Sequence, residues 1–333
     1  MLTENIVLRV KQDNCFDFLR YLFAISLIIA HFCTLVEIPQ FWFITGSMRV
    51  KAFFTITGFL VTYSFLRRNN DIRSYAIKRF VRIIPAYVVC IMFCLLLGWM
   101  VTSMTTEDFF SSSRTWKYLL ANILMLNWLE PELPCTFQSN YMPVMNGSLW
   151  SMKQEVIFYI IVPMLIWVMR KTKMRSVMCG LILVACILSH NYVNVQTQYF
   201  MYFLTGMVLL LNFDVFWRWQ RMLLPLSLLL LIPVYVADIP TVSDICNAIE
   251  PVCFPIVLVC VAYNLKPLNI IRKYDNITYG LYLYHFPIIQ MLILCGLPDY
   301  SLTICFLVTL IITATLGCVS WFLIEKPLMN KAG

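Results

Sequence analysis

Apolar residues run in long unbroken blocks along this chain, separated by short polar or basic joints. Windows of sustained hydropathy fall near 16–36, 46–66, 83–103, 149–169, 177–190, 197–212, 222–237, 246–264, 277–296 and 302–324. Most approach the ~20 residues an α-helix needs to cross a hydrocarbon core of about 30 Å. None shows the alternation with period two that a half-buried strand requires, so a β-barrel fits poorly. The pattern predicts an all-α integral membrane protein with about ten transmembrane helices. The fifth and sixth are the shortest, with His190, Asn191, Asn194, Gln196 and Gln198 crowded between them.

Composition agrees. Hydrophobic residues make up 61% of the 333 and charged residues 13%, against about 25% charged in soluble proteins, and the mean hydropathy is +0.78. A net charge of +8 raises the question of nucleic acid, but in a membrane chain the placement of Lys and Arg carries the meaning. With a cytoplasmic N-terminus, 20 of the 25 fall on the cytoplasmic side, including Arg9, Lys11, Arg68, Lys171 and Lys173; only Arg49, Lys51, Arg114, Lys117 and Lys153 fall elsewhere. That asymmetry predicts both termini in the cytoplasm and no nucleic-acid partner. The start of the chain is polar (Glu4, Arg9, Lys11, Asp13), and no small-residue cleavage site follows the first apolar run, which reads as a retained span. The 13 cysteines lie mostly in apolar stretches (Cys33, Cys90, Cys94, Cys186, Cys260, Cys305) without a CxxC pair. They read as small buried residues, not as a disulfide or zinc framework.

One outer segment differs from the other joints. Residues 104–148 mix Glu107, Asp108, Trp116, Trp128, Glu130, Pro131, Pro134 and Asn146. Its aromatic residues suit either stacking on sugar rings or anchoring at the membrane interface. No internal repeat or linker is visible, so residues 1–333 read as one transmembrane domain.

Ionisable groups inside spans are costly and mark candidate sites. On the first helix Arg20 and His31 are eleven residues apart, roughly 1,100° of rotation and about 16 Å of rise, so both lie on nearly one face. Arg20 is a snorkelling anchor or a ligand contact; His31, deep in the membrane, is a packing residue or a base. In SLWSMKQEVIFY, Glu155 lies about 9 Å below the outer surface, and His31 about 22 Å up a core of about 30 Å. The depths agree within a turn, so Glu155 either partners His31 or reaches water or Lys153. In SYAIKRFVRIIPAY, Lys78, Arg79 and Arg82 form a basic helical patch, suited to a phosphorylated ligand or to lipid headgroups. In TYGLYLYHFPI, His285 follows Tyr279, Tyr282 and Tyr284, and Pro287 is expected to kink the helix and open space around it. Signatures of soluble catalysts are missing: there is no P-loop, HExxH, GxSxG or dinucleotide fingerprint.

Six segments in order resemble the acyltransferase 3 family of bacterial membrane proteins that O-acylate surface glycans. Arg20 and His31 match its Arg, ten residues, His pattern, and FFTITGFL (Phe53 to Leu60) matches FF-x-x-SGFL with Thr57 in place of Ser. Lys78 to Tyr87 match KR-x-x-RI-x-PAY. Leu149, Trp150, Ser151, Glu155, Phe158 and Tyr159 match the LWS and Glu-x-x-FY segment. Tyr282, Leu283, His285 and Pro287 match YL-x-H-x-P, and Glu325 to Pro327 match the terminal EKP.

The resemblance implies transfer of an acyl group, usually acetyl, from cytoplasmic acetyl-CoA to a sugar hydroxyl across the bacterial inner membrane, with no metal. By that analogy Lys78, Arg79 and Arg82 hold the CoA phosphates and Arg20 guides the donor or holds its carbonyl. His31 is the base or a transient acyl carrier with Glu155 as partner, and Trp150, Tyr159 and His285 face the acceptor. The implied partners are a glycan acceptor (O-antigen, capsule or exopolysaccharide, lipid-linked or not), membrane lipid, and proteins of polysaccharide assembly. Some family members carry a C-terminal SGNH-type domain, for which this chain has no room. A transporter or flippase of a glycan lipid or anionic metabolite is the competing reading, since buried Arg, His and Glu also mark substrate paths. A non-catalytic scaffold is a third, and it leaves the matched depths of His31 and Glu155 without purpose.

Overall fold

A computed structural model describes residue 10 and residues 14–41, 44–67, 71–170, 175–188, 195–236 and 243–331. Outside them lie Glu4, Arg9, Lys11, Asp13, Arg68, Lys171, Lys173, His190, Asn191 and Asn194. The described residues are mainly helical and contain no strand. In chain order the helices are α1 (Phe16–Leu35), α2 (Gly46–Leu66), α3 (Ile72–Val101), α4 (Thr106–Ser111), α5 (Ser113–Ile123), α6 (Trp150–Arg170), α7 (Arg175–Leu188) and α8 (Val195–Leu211). There follow α9 (Phe213–Val236), α10 (Ser243–Asn264), a 3₁₀ segment (Lys266–Lys273), α11 (Thr278–Leu294), α12 (Leu297–Tyr300) and α13 (Leu302–Ser320). A π-helical turn (Trp321–Glu325) and α14 (Lys326–Lys331) close the order.

Each apolar window falls on a helix, but two helices begin well before theirs, one of them α9, at Phe213 and not near 222. The other is α3, which starts at Ile72 and not near 83, so the basic Lys78, Arg79 and Arg82 ride on the same helix as the apolar run. Residues 104–148 are not a plain loop: α4 and α5 form there, capped by Thr105, whose hydroxyl accepts from the Asp108 amide, and by Ser112, which accepts from the Arg114 amide. Among the described residues four helical stretches are long and apolar enough to cross a membrane: Phe16–Leu35, Ile72–Val101, Phe213–Tyr235 and Leu302–Lys331. A bent pair, Ala248–Asn264 and Pro267–Lys273 at 82°, would make a fifth.

The chain divides into two compact units. One comprises Met1–Phe23, Ser47–Tyr75 and Ile157–Tyr274. Within it α9 packs along α10, and α7 along α8. Its core is aromatic: Phe213 stands 5.3 Å from Tyr263 and 6.0 Å from Phe59, and Phe158 stacks on Phe203 at 4.4 Å. Helices α2 and α8 approach to backbone contact, because a Cβ on Gly58 would run into the Phe203 carbonyl and one on Gly206 into the Thr55 carbonyl. Without a hydrophobic force between helices in lipid, such small residues let dispersion hold them together. The unit also buries charge: Lys51 Nζ donates to Glu250 Oε1 at 2.6 Å, the Tyr235 hydroxyl donates to the same oxygen at 2.6 Å, and Lys51 lies over the Tyr202 ring.

The other unit comprises Ala24–Gly46, Ala76–Val156 and Asp275–Gly333. Here α11 packs along α13 through Gly280 and Gly317. The Tyr87 hydroxyl donates to the Asn122 carbonyl at 2.8 Å, and Asn127 Nδ2 donates to Tyr87 and Asn122, tying α3 to the end of α5. Cys33, Cys90, Cys94 and Cys305 in this unit, like Cys260 in the first, are buried and form no disulfide.

Prolines inside these helices have a recurring use. A helical proline has no N–H, so the carbonyl four residues earlier loses its ladder partner, a serious loss where no water reaches. Pro163 deprives Tyr159, whose carbonyl instead accepts from the Tyr75 hydroxyl at 2.9 Å. Pro255 deprives Pro251, whose carbonyl accepts from Thr205 Oγ1 at 2.7 Å. Pro287 deprives Leu283, whose carbonyl accepts from Asn146 Nδ2 at 2.9 Å and from the Cys90 thiol at 3.3 Å. Helix α11 runs on without a break through Pro287 to Leu294.

Candidate active site

The polar centre of the second unit is built where the last turns of α1 meet the middle of α11. Helix α1 between Ala24 and Leu35 is apolar apart from Ser26, His31 and Thr34. His31 Nδ1 lies 2.7 Å from His285 Nε2. The two rings are within 5° of parallel with centroids 5.0 Å apart. A short N···N distance with such separated centroids means the rings lie edge to edge, nearly in one plane, as an in-plane hydrogen bond demands. The second nitrogen of His285, Nδ1, lies 3.0 Å from the Leu281 carbonyl. His285 has no exposed surface, whereas His31 is half-buried and meets the edge of Phe286 at 5.4 Å. Phe32, Leu35, Phe286, Ile289 and Cys305 form the apolar cluster beside the pair.

Residues 140–151 are fastened to α11 beside this pair. Gln290 Nε2 donates to the Met142 and Val144 carbonyls at 2.6 and 2.8 Å, and Asn140 Nδ2 donates to the Gln290 side chain and backbone oxygens. Asn146 takes the carbonyl that Pro287 leaves open, and a Cβ on Gly147 would strike the Phe286 ring. The Tyr282 hydroxyl donates to the Ser148 carbonyl and therefore accepts from the Ser151 hydroxyl at 3.0 Å. The Tyr282 ring is 6.4 Å from that of His285. Of these, Asn146 and Tyr282 stand out in the sequence, Asn146 only as one polar residue of the 104–148 segment, whereas Asn140, Ser148 and Gln290 do not; Pro287 is the one signal that could have pointed to a partner for the Leu283 carbonyl.

The remaining candidates divide. Glu155, in the second turn of α6, lies within electrostatic reach of the Tyr279 and Tyr282 hydroxyls, in the same unit as the histidine pair. Trp150 begins the same helix. Lys78, Arg79 and Arg82 are half-buried in the first turns of α3, and Arg82 lies within electrostatic reach of Glu325. The Glu325 carboxylate, 2% exposed, accepts from the Ser320 hydroxyl at 2.9 Å inside the π-helical turn. Arg20 and Tyr159 belong to the first unit. Arg20 pairs with Asp17 at 3.2 Å, and the Tyr159 backbone is the oxygen taken by Tyr75. Among the described residues no group of three or more His, Cys, Asp or Glu side chains is placed to hold a metal ion.

The sequence profile of acyltransferase 3, described as an acyltransferase domain, matches residues 13–323. This chain belongs to the acyltransferase 3 family. As a member with several helices apolar enough to cross a bilayer, it is a membrane protein and an acyltransferase. Similar proteins include the O-acetyl transferase of Shigella phage Sf6, 24% identical over 97% of this chain and 98% of its own. Nodulation protein 10 of Rhizobium leguminosarum bv. viciae is 27% identical over 95% of this chain and 93% of its own. No solved structure matches. The family match takes in both histidines, the basic turns of α3 and Glu155.

Proposed function

We propose that this acyltransferase 3 protein moves an acetyl group from acetyl-CoA to a sugar hydroxyl of a surface or exported polysaccharide. The observation that carries the reading is the His31 imidazole, set in an apolar helix and bonded at 2.7 Å to a second imidazole inside a family of acyltransferases. The similarity to a phage protein named O-acetyl transferase supports acetyl as the group.

In this mechanism the acceptor O–H gives its proton to a His31 nitrogen as its oxygen attacks the thioester carbonyl. The C–S bond breaks, and the leaving thiolate takes the proton back from the His31 imidazolium, yielding ester and free thiol with the imidazole neutral again. Arg79 and Arg82 are three residues apart on one face of α3 and suit the CoA phosphates, with Lys78 beside them. Arg20 guides the donor, Glu155 supports the acid–base chemistry, Trp150 and Tyr159 border the acceptor, and His285 lies behind His31. The charge asymmetry along the chain supports ten spans in a bacterial inner membrane with both ends in the cytoplasm. In that orientation donor and acceptor enter from opposite sides of one transmembrane domain.

The test compares ester content of the surface glycan in cells making the wild-type protein, His31→Ala or none. The reading requires that His31→Ala and the null lose the same O-acetyl group at unchanged glycan quantity. Loss of the whole glycan would identify a transporter or an assembly component instead. Labelled acetyl-CoA binding that survives Arg79→Ala with Arg82→Ala would return that pair to lipid headgroups.

A further inference from the structure

We infer that His285 is a positioning residue, a neutral imidazole that fixes the proton of His31 on Nδ1 and so puts its basic lone pair on Nε2. The inference rests on His31 being the base of the transfer, as proposed above.

It follows from what each atom can do. The Leu281 oxygen has lone pairs and no hydrogen, so at 3.0 Å His285 Nδ1 must carry the proton. A neutral imidazole has one N–H, so His285 Nε2 holds a lone pair and accepts. The hydrogen in the 2.7 Å contact therefore belongs to His31 Nδ1. Neutral His31 has no other ring proton, and its Nε2 is the basic atom.

The alternative is a His285 imidazolium, which would donate from both nitrogens and force the His31 proton onto Nε2. That puts a cation at a site with no exposed surface, whose neighbours include the Leu281 and Tyr282 carbonyls, His31 and the Tyr282 ring, and no carboxylate among the described residues is bonded to it. An isolated buried charge is far more expensive than a neutral dipole. The coplanar rings fit the neutral chain, since an N–H···N bond wants both rings in its plane.

The chain runs from the Leu281 carbonyl through His285 to His31. When His31 takes the acceptor's proton on Nε2, its Nδ1–H stays bonded to His285 Nε2, and the aligned dipoles stabilise the imidazolium. His285 then does what a carboxylate does behind the histidine of a catalytic triad, without placing a net charge in the apolar site at rest.

The chain has three histidines, His31, His190 and His285, so ring nitrogens can be assigned one at a time. Full-length protein labelled with ¹⁵N in the histidine rings is placed in lipid nanodiscs and observed by nitrogen NMR, with His190→Gln used to remove that residue's signals. The expected spectrum shows His31 protonated on Nδ1 and bare on Nε2. His285→Leu, which offers no acceptor, is expected to mix the two His31 tautomers and to lower kcat about 10²-fold or more while KM for acetyl-CoA holds. His285→Gln, whose side-chain carbonyl can accept where Nε2 did, is expected to restore the Nδ1–H form and most of the rate. A wild-type His31 protonated on Nε2, or a folded His285→Leu protein with the wild-type rate, overturns the inference. Full activity of His31→Ala overturns the parent reading instead, so the two failures are distinguishable.

Discussion

The two units bury polar groups among apolar helices by opposite means. In the first, Lys51, Glu250 and Tyr235 form a centre in which an ammonium and a phenol converge on one carboxylate oxygen. In the second, two imidazoles and a carbonyl form a line with a direction, from Leu281 through His285 to His31. The ionic centre is closed: opposite charges cancel, and the arrangement is strong only while every member is present. The imidazole line is open-ended, since each member can exchange the roles of donor and acceptor as a proton arrives. Closed centres hold helices together, and open lines can do chemistry. The difference separates a structural site from the proposed catalytic one in a chain where both look like costly polar groups in lipid.

The largest effect that would test this contrast is in the first unit. Glu250→Ala strands the Lys51 ammonium and is expected to cost about 3–5 kcal/mol of stability in detergent unfolding, while Lys51→Met with Glu250→Leu recovers much of it. A stable Glu250→Ala protein with no acyl transfer would erase the distinction. Next, Gly58→Ala drives a Cβ into the Phe203 carbonyl and is expected to cost about 1–3 kcal/mol, read from the same transition. Asn146→Ala leaves the Leu283 carbonyl to Cys90 alone and is expected to cost about 1 kcal/mol. Because Leu283 is two residues from His285, transfer rate is expected to fall more than stability does, and an unchanged rate would detach the fastened segment from the site.

The smallest effect concerns an exposed pair. Lys326 Nζ donates to both Asp275 oxygens at 3.0 Å, and this hydrogen bond holds the Asp275 carboxyl below its ordinary range. A lowered folded value stabilises above the ordinary carboxylate range, and the gain disappears as pH falls through the folded value. Asp275→Asn is therefore expected to be slightly less stable than wild type at about pH 7 and equal to it at about pH 2, by thermal unfolding.

Helices were readable from the chain because a hydrocarbon solvent demands long apolar runs, and each run became a helix. Hydropathy places the start of α3 too late because Lys78, Arg79 and Arg82 look like a joint, whereas nothing in their backbone preference ends a helix. The importance of His31 was legible from its isolation in an apolar run. Its contact with His285 was not, because 254 residues separate the two and no spacing rule links them. Sequence reasoning offered Glu155 by matching depths along two helices, but depth fixes one coordinate of three. The roles of Asn140, Ser148 and Gln290 were hidden because amides and hydroxyls carry no periodic signal, and their partners on α11 or in residues 140–148 lie more than 130 residues away in the chain.

The carbonyl freed by Pro287 has a mechanical consequence. Asn146 and Gln290 clamp residues 140–148 to α11 on both sides of His285 in sequence, by bonds that a water-poor surrounding cannot replace. Lifting this segment would strand acceptors and donors together, so it behaves as a stiff wall and not as a flap. If the acceptor of the proposed transfer meets this wall, it is selected by the shape already there, which favours a narrow range of acceptors over an adaptable one.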